Sequence, residues 1–192
     1  KECYDSIAKQ LLKTNKNFKY SEVTKGKNAQ YFNSAIEWLI SSGIALKSKP
    51  IKESKLPLSF HTDDFLFRIY LSDVGLLRHK TNTKITNIQD ISYKDDITGI
   101  MAENYVACEL TSYNIPLYYW TGKEDSEIEF MVECNNNVTP LEVKAGKRVT
   151  STSLNVYKRN NKVNYVFRTS QKNFGFENNI KSVPLYAVFC LT

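Results

Sequence analysis

Several ready-made sites are excluded by what this sequence lacks. Its four cysteines, Cys3, Cys108, Cys134 and Cys190, are scattered and form no CxxC pair. That argues against a zinc ribbon or a dense disulfide framework and leaves free thiols as the plain expectation. The two histidines, His61 and His79, have no acid or cysteine arranged beside them, so neither a histidine metal centre nor a catalytic triad is expected. Gly26-Lys27, Gly122-Lys123 and Gly146-Lys147 fall outside any GxxxxGK[ST] pattern, so no ATP site is expected within these residues. No apolar run approaches the roughly 20 residues that cross a bilayer. The opening Lys1-Glu2-Cys3-Tyr4-Asp5 lacks the apolar stretch of a signal peptide, and a cytoplasmic protein with no membrane partner is expected. The chain also begins without methionine, as a piece of a longer protein does. Internal repeats and low-complexity stretches are absent.

What is present suits one or two globular domains: 192 residues, 42% hydrophobic and 24% charged. The net charge of +6 is unevenly spread. Residues 1–60 hold 11 lysines against 5 acids, whereas residues 61–192 are balanced at 15 of each sign. An excess confined to one segment suggests an anionic partner there, DNA or another nucleic acid being the commonest, or else a solvated lysine-rich face.

Residues 1–60 read as a small helical unit. Ile7, Leu11 and Leu12 recur at helical spacing after Asp5, a candidate N-cap, and a second apolar stripe runs through Tyr31, Ala35, Trp38 and Leu39 to a stop at Gly43. Ile44 to Leu46 and Leu58 to Phe60 are predicted as two short strands around a polar, basic tip. Helices followed by such a ribbon make a winged-helix-like segment, whose helix over about 28–42 would enter a DNA groove or dock a protein.

Residues 61–192 read as a mixed α/β unit, with a strand at 65–71, a short helix from Leu76 and a long helix over about 99–113. Strands follow at 117–121, 127–134 and 138–145, then a helix near 150–159 and strands at 164–169 and 184–191. The strand from Glu127 to Cys134 and the one after it carry the chemistry. Alternation places Glu127, Glu129 and Glu133 on one face and Ile128, Phe130 and Val132 on the other, and Glu142 and Lys144 share a face opposite Leu141 and Val143. Asn135-Asn136-Asn137 predicts a hairpin turn between them. Paired carboxylates can hold Mg or Mn, and a neighbouring ammonium can position an attacking water. The alternative is an ordinary hairpin whose Lys144 pairs with Glu129 or Glu142 across the strands.

The order αβββαββ, with acids on the second strand and Glu-x-Lys on the third, resembles the PD-(D/E)xK superfamily of restriction-endonuclease-like nucleases. Tyr70-Leu71-Ser72-Asp73-Val74-Gly75-Leu76-Leu77, Glu103-Asn104-Tyr105-Val106-Ala107-Cys108-Glu109-Leu110, Tyr119-Trp120 and Leu141-Glu142-Val143-Lys144 together are similar to the uncharacterised C-terminal domain of prokaryotic AAA-type ATPases. The resemblance implies a restriction-endonuclease-like mixed sheet flanked by helices over 61–192, with the winged-helix-like segment before it and an ATPase module attached elsewhere in the protein. Carried over by residue, it implies Glu103, Glu129 and Glu142 as ligands of Mg or Mn, and Lys144 beside the attacking water in phosphodiester hydrolysis. The second-strand acid is Glu129 where that family usually has aspartate, one methylene shorter. A second class remains open, a non-catalytic module that binds nucleic acid or protein and targets the attached ATPase.

Overall fold

The computed structural model describes residues 1–82, 96–122, 126–146 and 152–191. Five α-helices occur among them, α1 (Glu2–Leu11), α2 (Ala29–Ser41), α3 (Val74–Thr81), α4 (Asp96–Ser112) and α5 (Thr152–Asn160). Nine strands accompany them: β1 (Ala45–Pro50), β2 (Arg68–Leu71), β3 (Leu117–Thr121), β4 (Glu127–Ile128), β5 (Phe130–Cys134), β6 (Asn137–Val143), β7 (Val166–Ser170), β8 (Gly175–Glu177) and β9 (Ile180–Pro184). They form two mixed sheets, ordered β2-β1-β3-β4 and β5-β6-β7-β9-β8. The fold is therefore mixed α/β, and no described helix is long and apolar enough to cross a membrane.

Local chemistry sets the helix ends. The acids Glu2 and Asp5 favour the positive end of α1, which starts at Glu2 with Lys1 as its N-cap. Asp5 thus lies inside the helix rather than capping it, and Leu12 is left exposed beyond its end. The Asn28 side chain caps α2 by accepting from the Gln30 N–H at 3.1 Å, and Gly43, at φ +74°, supplies the left-handed turn that stops it. Asp73 caps α3 by accepting from the Leu76 N–H at 3.0 Å.

Three expectations change. The predicted stripe on α2 is rotated by one position, so that Phe32, Ile36 and Leu39 are buried while Tyr31 and Trp38 stand 66% and 61% exposed. Both stripes have helical spacing, and only contact with the sheet chooses between them. Leu58 to His61 is a 3-10 turn rather than a strand, and β1 pairs instead with β2 antiparallel and with β3 parallel. Residues 185–191 are likewise 3-10 rather than strand, and the sheet is completed by the β8–β9 hairpin.

The β1–β3 pairing carries the chain across residue 60 within one sheet. A large core joins α1 and α2 to α4 through Ile7, Ile36, Leu71, Val106, Phe130 and Leu141. A second core, with Ile128, Met131, Leu154, Tyr157 and Val166, lies under α5.

The predicted strand 127–134 is interrupted at Glu129. Upstream, β4 pairs with β3; downstream, β5 pairs with β6, and that ladder ends at Phe130 opposite Leu141. The chain changes sheet at this residue, and the alternation slips with it. Phe130, Val132, Leu141 and Val143 join the large core as expected, but Ile128 turns into the second core beside Met131.

Candidate functional site

The fork between the two sheets is where the predicted site residues meet. Beyond Leu141 β6 keeps β7 on one side but has lost β5 on the other, and there the Val143 N–H donates to Glu129 Oε2 at 3.1 Å. The glutamate side chain wedges the fork open.

Glu103 arrives from α4 and is 3% exposed. Its Oε1 accepts from the Tyr70 hydroxyl at 2.5 Å, and its Oε2 accepts from Lys16 Nζ at 2.6 Å. Lys16, on the loop after α1, also donates to Glu127 Oε1 at 2.7 Å. Glu127 Oε2 accepts from Arg68 of β2 at 2.7 Å, and the Arg68 guanidinium lies 3.9 Å from the centroid of the Tyr119 ring. Asn104, next to Glu103, clamps α4 to β2 by accepting from the Leu71 N–H at 2.9 Å and donating to its carbonyl at 2.8 Å.

On β6, Glu142 is 2% exposed and stands directly across from Arg168 of β7. The Arg168 Nε–H donates to Glu142 Oε2 at 2.7 Å, and Lys144 Nζ lies 3.1 Å from Oε1. Glu133, predicted to share a face with Glu127 and Glu129, points elsewhere because of the slip at the fork. Its carboxylate accepts from the Leu58 N–H at 2.7 Å.

Burial pushes the Glu129 carboxyl up to about 7; Lys144 and Lys16 pull it down, while Glu103 and Glu142 add to the rise. Glu127 behaves oppositely. Burial would raise it, but Arg68 and Lys16 overcome that and hold it below the usual carboxylate range. Burial disfavours charged Lys16 too, yet Glu103 and Glu127 outweigh it and keep the ammonium protonated. The structure thus brings Glu103, Glu129, Glu142 and Lys144 to one fork, each already paired.

Whether Mg or Mn fits is decided by those pairings. Of the eight oxygens on Glu103, Glu127, Glu129 and Glu142, seven already take a hydrogen bond or ion pair from the chain. Four protein cations, Lys16, Arg68, Lys144 and Arg168, are ion-paired with three of these carboxyls, Glu103, Glu127 and Glu142. A hard divalent ion would have to displace Lys16 and Arg68 and reorient these carboxylates toward one shared position. Among the described residues, no group of three or more His, Cys, Asp or Glu is placed to hold a metal ion, and these donors do not fit one.

Lys16, Arg68, Arg168 and Tyr70 escaped the sequence reading. For the arginines there was a signal: each is a lone charge after phenylalanine in an apolar strand, Phe67-Arg68-Ile69 and Phe167-Arg168-Thr169, where both faces are covered. A charge in that position needs a buried partner. Lys16, on a polar loop, carries no such mark.

The class that this geometry defines is a mixed α/β fold with an acid-lined fork between two sheets. Two family models match the chain, both described as domains of unknown function: DUF8612 over residues 1–87 and DUF4143 over residues 98–188. No curated protein and no solved structure matches it. The first match ends after α3 and the second begins within the first turn of α4, so β1 and β3, paired in one sheet, belong to different matches.

Proposed function

We propose that the chain is a non-catalytic interaction module on a restriction-endonuclease-like scaffold, carried by an AAA-type ATP-binding protein. Its acid cluster locks the amino-terminal segment onto the sheet. The observation that carries this reading is Lys16, whose ammonium stands within 2.7 Å of both Glu103 and Glu127. A hydrolytic centre of the PD-(D/E)xK kind would need Glu103 for a metal, with Glu129 and Glu142; here a lysine from outside the nuclease-like unit holds one Glu103 oxygen and Tyr70 holds the other. Attachment to an ATPase is supported by the motif resemblance and by the DUF4143 match over residues 98–188. Regulating or targeting that ATPase through a bound nucleic acid or protein is the role left to the module.

Calorimetric titration of Mg²⁺ and Mn²⁺ into the chain, with cleavage assays on DNA and RNA using the protein joined to its ATPase module, tests the reading. Neither metal binding nor cleavage is expected, and Glu142→Gln is expected to lower stability by leaving Arg168 without its anion. The enzyme reading draws on Lys144 beside Glu142 and on the Glu129 carboxyl near 7. It prevails if Mn²⁺-dependent cleavage appears and both Glu142→Gln and Lys144→Ala remove it in folded protein.

A further inference from the structure

The basic excess of residues 1–60 is largely consumed inside the molecule. Six of its eleven lysines, Lys13, Lys16, Lys47, Lys49, Lys52 and Lys55, sit in ion pairs. The helix expected to enter a DNA groove, α2, contains no lysine or arginine and one glutamate. Neither feature suits contact with a polyanion.

The opposite holds at the carboxy-terminal end of α5. Leu154 and Tyr157 anchor that helix in the second core, with the Tyr157 hydroxyl donating to Ser54 Oγ at 2.7 Å and its ring packed edge-on against Trp120 at 5.0 Å. This fixes the last turn and the following loop beside two adjoining hollows, of about 590 and 540 Å³, that share Asn161, Lys162, Val163 and Asn164. Lys55, Lys158, Arg159 and Lys162 line them together, and no acid does. Lys55 shares Glu53, but no described carboxylate lies within ion-pair distance of Lys158, Arg159 or Lys162. Burial and the nearby Arg168 hold the Lys158 ammonium below the usual lysine range, with Glu142 only partly offsetting them.

The rim between these cations is built of amides. Two Asn-Asn turns with left-handed backbone, Asn135-Asn136 between β5 and β6 and Asn178-Asn179 between β8 and β9, flank Asn160 at the end of α5 and the loop that carries Asn161 and Asn164. An asparagine amide both donates and accepts, which suits phosphate oxygens and base edges alike. The negative end of α5 opposes an anion, but it amounts to about half a charge, and the Tyr157 carbonyl there already accepts from the Asn161 side chain at 3.1 Å. Lys158 donates to the Asn178 carbonyl at 3.4 Å, and Arg159 and Lys162, which meet no described acid, outweigh that half charge.

We infer that this groove at the end of α5 binds the phosphodiester backbone of a nucleic acid, with Arg159 and Lys162 as its principal phosphate contacts and the asparagine rim as its neutral hydrogen-bonding wall. The inference rests on the reading of the chain as an interaction module and names that module's ligand and the surface that takes it. Arg159 and Lys162, with no described acid partner, on a fixed helix end and bordered by amides, are the arrangement that a polyanion recognises.

Fluorescence anisotropy of the chain with a labelled 20-nucleotide single strand and the matching duplex, at 50 and 200 mM salt, tests it. Binding at low salt that weakens steeply as salt rises is expected. Arg159→Ala/Lys162→Ala should cost at least tenfold in affinity and flatten the salt dependence by about 1.5 in log–log slope, since each phosphate contact contributes about 0.7 to 0.9. Arg159→Lys/Lys162→Arg should keep most of the affinity. Lys25→Ala/Lys27→Ala, which removes the same charge from the amino-terminal segment, should change it less than twofold. No binding at 50 mM salt overturns the inference, as does equal loss in the two alanine pairs, which would mean only a diffuse attraction to net charge. Metal-dependent cleavage with the groove's contribution intact would instead sink the non-catalytic reading and leave the groove standing.

Discussion

The fork and the α5 groove are both built from charged side chains held by the same sheets, yet they spend their charge in opposite ways. At the fork, Lys16, Arg68, Lys144 and Arg168 each face a glutamate, most of it is buried, and the pairs join the loop after α1 to α4, β2, β4, β6 and β7. At the groove, Arg159 and Lys162 are exposed and meet no described acid. A charge removed from water must be matched within the fold, so the fork's charges are structural whatever else they do. A charge left in water costs the fold nothing and remains available to a ligand. Motif matching reads the two regions the other way round, because it sees glutamates and lysines but not their partners.

The hardest blow to the fork is expected from Arg68→Ala. It leaves Glu127 with Lys16 alone and Tyr119 without the cation stacked on it, and breaking a buried pair from one side costs about 3 to 5 kcal/mol. Urea denaturation measures this as a lowered midpoint at unchanged slope. Adding Glu127→Gln to Arg68→Ala should recover part of the loss, because the stranded carboxylate goes with it. A loss within about 0.5 kcal/mol would place the fork's charges with those of the groove.

Much of the fold was legible, and the reasons differ by residue. The β5–β6 hairpin followed from alternation around a run of asparagines, and Asn135 and Asn136 take the left-handed conformation such a turn requires, at φ 49° and 58°. The candidate residues also converge as a group, because Glu103, Glu129, Glu142 and Lys144 lie on elements whose order was readable. What could not be read was the break at Glu129, since nothing in Glu127-Ile128-Glu129-Phe130 marks where a strand leaves one sheet for another. Long-range partners were hidden for the same reason: Lys16 and Glu127 are joined only by tertiary structure. The second strand predicted at Leu58 failed because β1 found better partners in β2 and β3.

The α2 helix repeats the contrast in apolar form. Ile36 is 0% exposed and Trp38 61%, so Ile36→Ala should cost about 2 to 5 kcal/mol and Trp38→Ala within about 0.5 kcal/mol. Reversal of that order in thermal or urea unfolding would restore the stripe through Trp38 as the buried one.

Glu129 gives the fork a pH signature that the groove lacks. Its carboxyl is raised from about 4.5 to about 7 in the folded chain, so the native state holds the proton more tightly than the unfolded state. Its contribution is full below pH about 4.5 and is lost as pH climbs through 7, by about 3 kcal/mol. Glu127, held low, works in the other direction and weakens the fold as pH falls through its own range. The difference between the parent chain and Glu129→Gln isolates the first effect. The variant should gain on the parent between pH 5 and pH 8, and parallel stability curves over that range would show that Glu129 ionises normally.

The smallest effect is expected where charge is unpaired. Arg159→Ala/Lys162→Ala removes two exposed cations from the end of α5, and favourable contact with that helix terminus amounts to some tenths of a kcal/mol per charge in exposed positions. Relief of like-charge repulsion with the neighbouring Lys158 acts in the opposite sense, so urea denaturation should place the variant within about 0.5 kcal/mol of the parent. That near-neutrality distinguishes a surface kept for a ligand from one kept for the fold. A loss of 2 kcal/mol or more would mean that Arg159 and Lys162 hold the α5–β7 loop itself, and the line drawn between fork and groove would then run through the groove.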